Sequence, residues 1–172
     1  MRTRRTLPLL VACVALLGAC TSTARLSAAG DIHAFLVSIR DDDKTAFNAH
    51  VDRPALKAQL RDKLVADAAR RDPGLGALAA ALGPPLVDVA VDKLVQPEVF
   101  REVAEGLGYS PDKPLPGSLS IAEALRPIDD SHVCVVRKKD APCIFVFTDE
   151  SGVWRLTAFE GDLSDLARSR RG

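Results

Sequence analysis

Apolar positions recur at helical spacing through the first hundred residues, and the pattern changes to short strands near the C-terminus. The first helical set follows the i, i+3, i+4, i+7 order of one apolar face and comprises Ile32, Phe35, Leu36 and Ile39. Asp31 precedes this set, and we expect it to cap the helix, because aspartate accepts hydrogen bonds from exposed backbone N–H groups. From residue 132 onward, runs of β-branched and aromatic residues alternate with turn residues. The pattern predicts an α+β domain.

Aspartate and proline mark further helices between residues 41 and 106. Asp43 is placed to cap a short helix around Phe47, and Asp52 to cap a longer helix with Pro54 in its first turn. That helix is expected to end at the sequence Asp72-Pro73-Gly74, and Pro97 is expected to start a final helix.

An alanine-rich run lies between two proline signals. Gly83-Pro84-Pro85 is predicted to break the chain after it, which leaves eight residues, Leu75–Leu82, as one apolar piece. A bilayer requires roughly 20 apolar residues, so we interpret this piece as closely packed core and not as a membrane helix.

The C-terminal runs predict a three-stranded antiparallel meander, since tight turns separate them. The strands are placed at residues 132–137, 143–148 and 153–160. A three-stranded sheet is marginally stable unless one face is covered, and the upstream helices are expected to cover it. The large apolar residues expected at this interface, as core or as the lining of a pocket, are Phe35, Leu36, Leu60, Phe145, Phe147, Trp154 and Phe159.

The N-terminal segment has the pattern of a secretory leader. Three arginines precede the apolar run Leu7–Leu17, which is too short for a permanent transmembrane helix. Leu17-Gly18-Ala19-Cys20 resembles the lipobox of bacterial lipoproteins, which implies cleavage before Cys20 and acylation of its thiol. Thr21 follows where an aspartate signals inner-membrane retention, so the resemblance implies a lipid anchor in the outer membrane of a Gram-negative bacterium, facing the periplasm.

These signals divide the chain into six parts. The predicted parts are a signal peptide at 1–19, the lipidated cysteine and a flexible linker at 20–30, a helical half at 31–108, a proline-rich connection at 109–131, a sheet at 132–161, and a terminal turn with a basic tail at 162–172.

Charge argues against nucleic acid as a partner. The chain has 23 basic and 23 acidic residues, and loss of Arg2, Arg4 and Arg5 with the leader changes the net charge to about −3. Nucleic-acid-binding domains usually carry a basic excess on one face. The basic tail is expected to be solvated, or to contact anionic lipid headgroups.

Cys134 and Cys143 lie in the two strands of the first predicted hairpin. In an oxidising periplasm such a pair predicts a disulfide. Two buried free thiols and a metal or redox pair are the alternatives, although a redox pair normally has the Cys-x-x-Cys spacing. The sequence does not fix the register that would place them opposite each other.

Motifs of catalysis are missing from the sequence. It lacks Gly-x-Ser-x-Gly, a phosphate loop and His-Glu-x-x-His, and nothing in it indicates a cofactor. His33 is expected at the surface and His50 at a helix junction, whereas His132, beside Asp129 and Asp130, is the best candidate for a histidine–carboxylate dyad. The acidic run Asp41–Asp43 lacks the spacing of a calcium loop, and we predict no metal site.

Part of the chain resembles an uncharacterised bacterial family, domain of unknown function 2939. The resemblance is carried by Ile39–Asp43, Phe47, Val51–Lys57, Leu60 and Val91–Glu98. It implies a single domain over about Ile32–Phe159 and transfers no catalytic residue. The layout of helices before a curved sheet is similar, by analogy only, to the cone-shaped folds of cystatins and nuclear-transport-factor-two-like proteins.

Taken together, the sequence favours a lipid-anchored periplasmic module that binds an envelope protein or a small amphiphile without catalysis. Two alternatives stay open. One is a small hydrolase, isomerase or dehydratase that uses His132 or His50 with a carboxylate. The other is a structural accessory of an outer-membrane assembly.

Overall fold

The computed structural model describes residues 7–106, 109–110, 112–136 and 141–160, without the side chains of residues 7–22, 90, 103 and 106. In these ranges, six helices are followed along the chain by four strands. The helices are α1 (Leu7–Asp41), α2 (Lys44–Ala49), α3 (Arg53–Arg71), α4 (Pro73–Leu94), α5 (Pro97–Gly106) and α6 (Ser118–Ala124). The strands are β1 (Leu125–Pro127), β2 (His132–Val136), β3 (Cys143–Glu150) and β4 (Val153–Phe159). The predicted α+β class is confirmed.

Helix α1 continues upstream of the point where the sequence places its start. Asp31 lies inside the helix and does not cap it; its carboxylate accepts a hydrogen bond of 2.8 Å from the backbone N–H of Trp154. The linker predicted at residues 20–30 is also wrong, because this stretch is helical and Ala28 and Ala29 are completely buried. The Ser, Thr and Ala content of this stretch favours a linker, but burial of the small side chains against the core stabilises a helix there.

The predicted capping of α2 and α3 is confirmed. The Asp43 carboxylate accepts hydrogen bonds from the backbone N–H groups of Thr45 and Ala46, and the Asp52 carboxylate accepts one from Ala55. Asp72 separates α3 from α4 and caps the start of α4.

The break predicted at Gly83-Pro84-Pro85 is wrong, because α4 runs through both prolines. A proline inside a helix costs about 3 kcal/mol and removes a backbone hydrogen bond. Packing along α3 offsets this cost: the two helices are joined by Asp72 alone and lie antiparallel, with Gly76 against Ala69 and Gly83 against Leu64.

The proline-rich connection holds more structure than the sequence predicts. It contains α6, whose Ile121 and Ala122 are buried, and the short strand β1. Strand β1 pairs with β2, so the sheet has four antiparallel strands in the order β1-β2-β3-β4, one more than predicted. Three residues ending in proline give too short a run to be recognised as a strand.

The three predicted strands are present, and two bulges alter their register. One lies between Val135 and Val136 in the β2–β3 pair, and the other between Val146 and Phe147 in the β3–β4 pair. The open edge of β4 is partly covered, because Val51 forms a parallel bridge to Leu156.

The core lies between the helices and the inner face of the sheet. All six phenylalanines of the chain are linked there by ring contacts, with centroids 5.3 to 6.3 Å apart. Phe47, Phe147 and Trp154 are at most 2% exposed. The sequence allows two interpretations of these aromatic residues, as core or as the lining of a pocket, and the structure favours the core.

Candidate functional sites: polar clusters and an apolar hairpin

Cys20, the predicted acylation site, lies within α1. Four residues later, Ala24 packs against the core, and Ser27 accepts a hydrogen bond of 3.2 Å from the indole N–H of Trp154. An α-helix rises about 1.5 Å per residue, so the backbone of residue 20 lies only about 6 Å along the helix from the start of the core.

Cys134 and Cys143 are joined by a disulfide bond. The cysteines are not directly opposite: Cys134 pairs with Val146, and Cys143 pairs with Val136. The bulge between these pairs brings the two Cα atoms to 5.5 Å. The bond joins β2 to β3 on the sheet face that is turned away from the phenylalanine core, in a small cluster with Val146.

Arg126, which the sequence analysis missed, covers this disulfide. Its guanidinium donates to the Sγ of Cys143 at 3.1 Å and to the backbone carbonyl of Ala141 at 3.0 Å. Arg126 comes from β1, so it could be predicted only by recognising that strand.

His132 contacts a carboxylate, as the dyad hypothesis requires. Its Nδ1 lies 2.8 Å from Asp129 Oδ1, and the hydrogen bond from the imidazole lowers the pKa of Asp129. The Ser131 hydroxyl lies 3.1 Å from the same Nδ1, and the Ser131 backbone N–H donates to Asp129 at 2.8 Å. A nucleophilic serine needs the other ring nitrogen, so the cluster has the geometry of an aspartate-stabilised turn and not of a serine triad.

His50 lies where α2 meets the edge of the sheet. Its backbone carbonyl accepts from Leu156 N–H at 2.9 Å, and its Nδ1 lies 3.4 Å from the carbonyl of Trp154. Nearby, Asp52 N–H donates to Leu156. Burial and a hydrogen bond to the Asp52 carboxyl raise the pKa of Glu150, although Arg155 donates to Glu150 at 3.1 Å and opposes this shift. This cluster ties the α2–α3 junction to β4.

The remaining candidates have structural partners. His33 Nδ1 lies 3.0 Å from the carbonyl of Pro116, and Asp41 pairs with Arg40 at 2.7 Å. Because Asp43 caps α2, the acidic run does not converge on one point. Within the described ranges, no group of three histidine, cysteine, aspartate or glutamate side chains is placed to hold a metal ion.

Helix α4 carries a row of exposed aliphatic side chains that the sequence analysis did not recognise. At successive steps of three or four residues these side chains share one face of the helix, and each is about half exposed or more. We call this row the leucine stripe; it consists of Leu75, Leu78, Leu82, Leu86 and Val89. The assumed break at Pro84 divided the stripe and hid its spacing.

The opposite side of α4 packs on α3. Gly76, Gly83, Val87 and Val91 are buried, and a groove of about 520 Å³ between the helices is lined by Arg61, Ala80 and Pro84 among others. The Lys57 ammonium forms ion pairs with the carboxylates of Asp88 and Asp92, with an N–O distance of 3.3 Å in each. The stripe is therefore exposed, whereas Gly76, Gly83, Val87 and Val91 face α3.

Helix α4 is also long and apolar enough to cross a bilayer by length and composition, and it is the one such helix among the residues searched. Its most apolar 18-residue window has a mean hydropathy of 1.6 and is 24% buried. The sequence interpretation of an eight-residue core segment is thus wrong on both length and burial.

The geometry defines a class: an α+β domain with a helical layer on an antiparallel sheet and a helical hairpin, α3–α4, whose second helix exposes an apolar stripe. The family model described as protein of unknown function (DUF2939) matches residues 13–103, and the chain belongs to this family. The match begins earlier than the expected Ile32 and ends within α5, so it covers most of the first five helices and leaves out α6 and the sheet. No curated protein and no solved structure matches the chain.

Proposed function

We propose that the protein is a lipid-anchored module of the bacterial envelope that binds another envelope component through the leucine stripe. The observation that carries this proposal is the unpaired stripe on a domain whose aromatic core is already closed. Contiguous exposed apolar surface in a soluble domain usually marks a site of interaction.

The position of the anchor supports the same proposal. With core packing at Ala24, a diacylglyceryl group on Cys20 would hold the domain against the membrane, since no flexible linker separates them. Two or three acyl chains give stable anchoring where a single chain is marginal. The outer membrane, facing the periplasm, is the proposed location, and a disulfide between Cys134 and Cys143 suits that compartment.

Site-specific photo-crosslinking in intact cells tests the proposal. A photo-reactive amino acid at position 82 lies in the stripe, and the same residue at position 119, an exposed leucine on α6, is the matched control. We expect position 82 to capture an envelope component in the otherwise wild-type protein, and position 119 to capture none. Equal capture from both positions would contradict the proposal.

An enzymatic function is the second candidate, and the 2.8 Å contact between His132 and Asp129 favours it. It predicts that His132→Ala abolishes complementation of a deletion strain. If His132→Ala and His50→Ala both restore every deletion phenotype, the enzymatic candidate fails.

A further inference from the structure

The leucine stripe has the chemistry of a surface that meets hydrocarbon. From Pro73 to Val87 the chain has no charged side chain, and the four stripe leucines in this stretch span 11 helical steps, about 17 Å of helix. A mean hydropathy of 1.6 occurs both in membrane-spanning helices and in the buried core helices of soluble proteins, and this helix differs from a core helix in being only 24% buried over that window. A protein groove usually has polar groups at its rim, and residues 73–87 of α4 offer no charged side chain to pair with them.

Helix α3, in contrast, is polar and prevents the hairpin from entering the bilayer as a whole. Arg61, Asp62, Asp67 and Arg70 are exposed along it. Arg70, which forms an ion pair with Asp67, and Arg71 lie at its C-terminal end, next to the turn from which the stripe begins. A hairpin with one apolar helix and one charged helix suits the membrane interface, where the first contacts acyl chains and the second stays at headgroup level.

We infer that the α3–α4 hairpin lies in the membrane interface, with the leucine stripe in the acyl region and the arginines at the tip beside lipid phosphates. This inference rests on the proposed function, because it names the partner of the same surface. The occupant is the lipid bilayer, and the hairpin would form a second contact beside the anchor on Cys20.

A vesicle-binding experiment separates this inference from acylation. The chain from residue 20 onward with Cys20→Ser has no lipid, yet it keeps every residue of the core, which extends from Ala24 to Phe159. We expect it to float with vesicles of phosphatidylethanolamine and phosphatidylglycerol. Leu82→Glu with Leu86→Glu should lower the partition coefficient more than about tenfold, which equals about 1.4 kcal/mol, whereas Leu119→Glu, an exposed leucine outside the hairpin, should leave it unchanged.

A second measurement does not depend on glutamate variants. An environment-sensitive dye attached through Leu82→Cys should shift to the blue when vesicles are added, and the same dye at Leu119→Cys should not. Absence of flotation together with absence of a shift would overturn the inference. So would a vesicle-independent dimer that Leu82→Glu with Leu86→Glu disrupts in analytical ultracentrifugation, since a second copy would then cover the stripe. Either result leaves the acylation of Cys20 to be decided by its own measurement.

Discussion

At the scale of single residues, three aspartates act as helix caps. Asp43, Asp52 and Asp72 each accept backbone N–H groups at the start of a helix. In the acidic run Asp41–Asp43, Asp43 caps α2 and Asp41 pairs with Arg40, so these carboxylates are not arranged around one cation.

Replacement of Asp43 tests this role. Asp43→Ala removes the acceptor for Thr45 and Ala46, and we expect the free energy of unfolding to fall by about 1 kcal/mol in urea denaturation. Asp43→Asn is the matched control, because asparagine caps a helix as well as aspartate does. Equal losses in both variants would point to the charge and against the cap.

Glu150 makes stability depend on pH. Its pKa in the folded state is raised, so the fold favours the protonated form, and stability is lost as pH rises through that raised value. Glu150→Gln mimics the protonated carboxyl and should therefore be more stable than wild type at neutral pH. The difference in stability between Glu150→Gln and wild type should vanish at pH values below the ordinary pKa of glutamate, where the wild-type carboxyl is protonated in both the folded and the unfolded state.

Thermal denaturation across this pH range measures the effect. The exposed Glu123→Gln serves as the control, with no comparable gain at neutral pH. A Glu150→Gln protein that is less stable than wild type at neutral pH would show that the Arg155 ion pair outweighs burial and the Asp52 carboxyl.

At the scale of elements, the α3–α4 hairpin depends on glycine at the point of closest approach. A Cβ at Gly76 would lie 2.7 Å from the Cβ of Ala69, whereas one at Gly30 in α1 would meet nothing within 4 Å. We expect Gly76→Ala to lower the free energy of unfolding by about 1–3 kcal/mol and Gly30→Ala to raise it by about 0.5–1 kcal/mol. Chemical denaturation followed by circular dichroism compares them; a stabilised Gly76→Ala would show that the helices separate readily.

The β2–β3 hairpin carries the disulfide across nine residues of sequence. Closure of a loop of this length constrains the unfolded chain and contributes about 2.5 kcal/mol. The double variant Cys134→Ala, Cys143→Ala should lose about this amount relative to the oxidised protein. Addition of reductant should lower the wild-type midpoint and leave that of the double variant unchanged, and an unchanged wild-type midpoint would argue against the bond.

What the sequence predicts at this scale follows from how local each signal is. The caps of α2 and α3 and the strands β2 to β4 were predictable, since each is specified by neighbouring residues. The course of α4 through Pro84 and Pro85 was not, because it depends on α3. The early start of α1 was missed for the same reason: Ala28 and Ala29 are buried by distant parts of the chain. The leucine stripe was not predicted because the expected break in α4 divided it.

At the scale of the whole molecule, the proposed anchor site and the fold share one helix. The helix that holds Cys20 also supplies Ser27 and Asp31 to the final strand, through the indole and backbone N–H groups of Trp154. The N-terminal helix and the C-terminal sheet are thus fixed to each other, and a lipid on Cys20 would hold the entire domain, with its exposed stripe, at the membrane.

Acylation of Cys20 is the central claim, and the intact mass of the protein extracted from bacterial envelopes tests it most directly. The account predicts a chain that begins at Cys20 and carries diacylglyceryl mass, and an uncleaved chain without that mass for Cys20→Ser. A wild-type protein with an unmodified Cys20, or one cleaved at another residue, would contradict it.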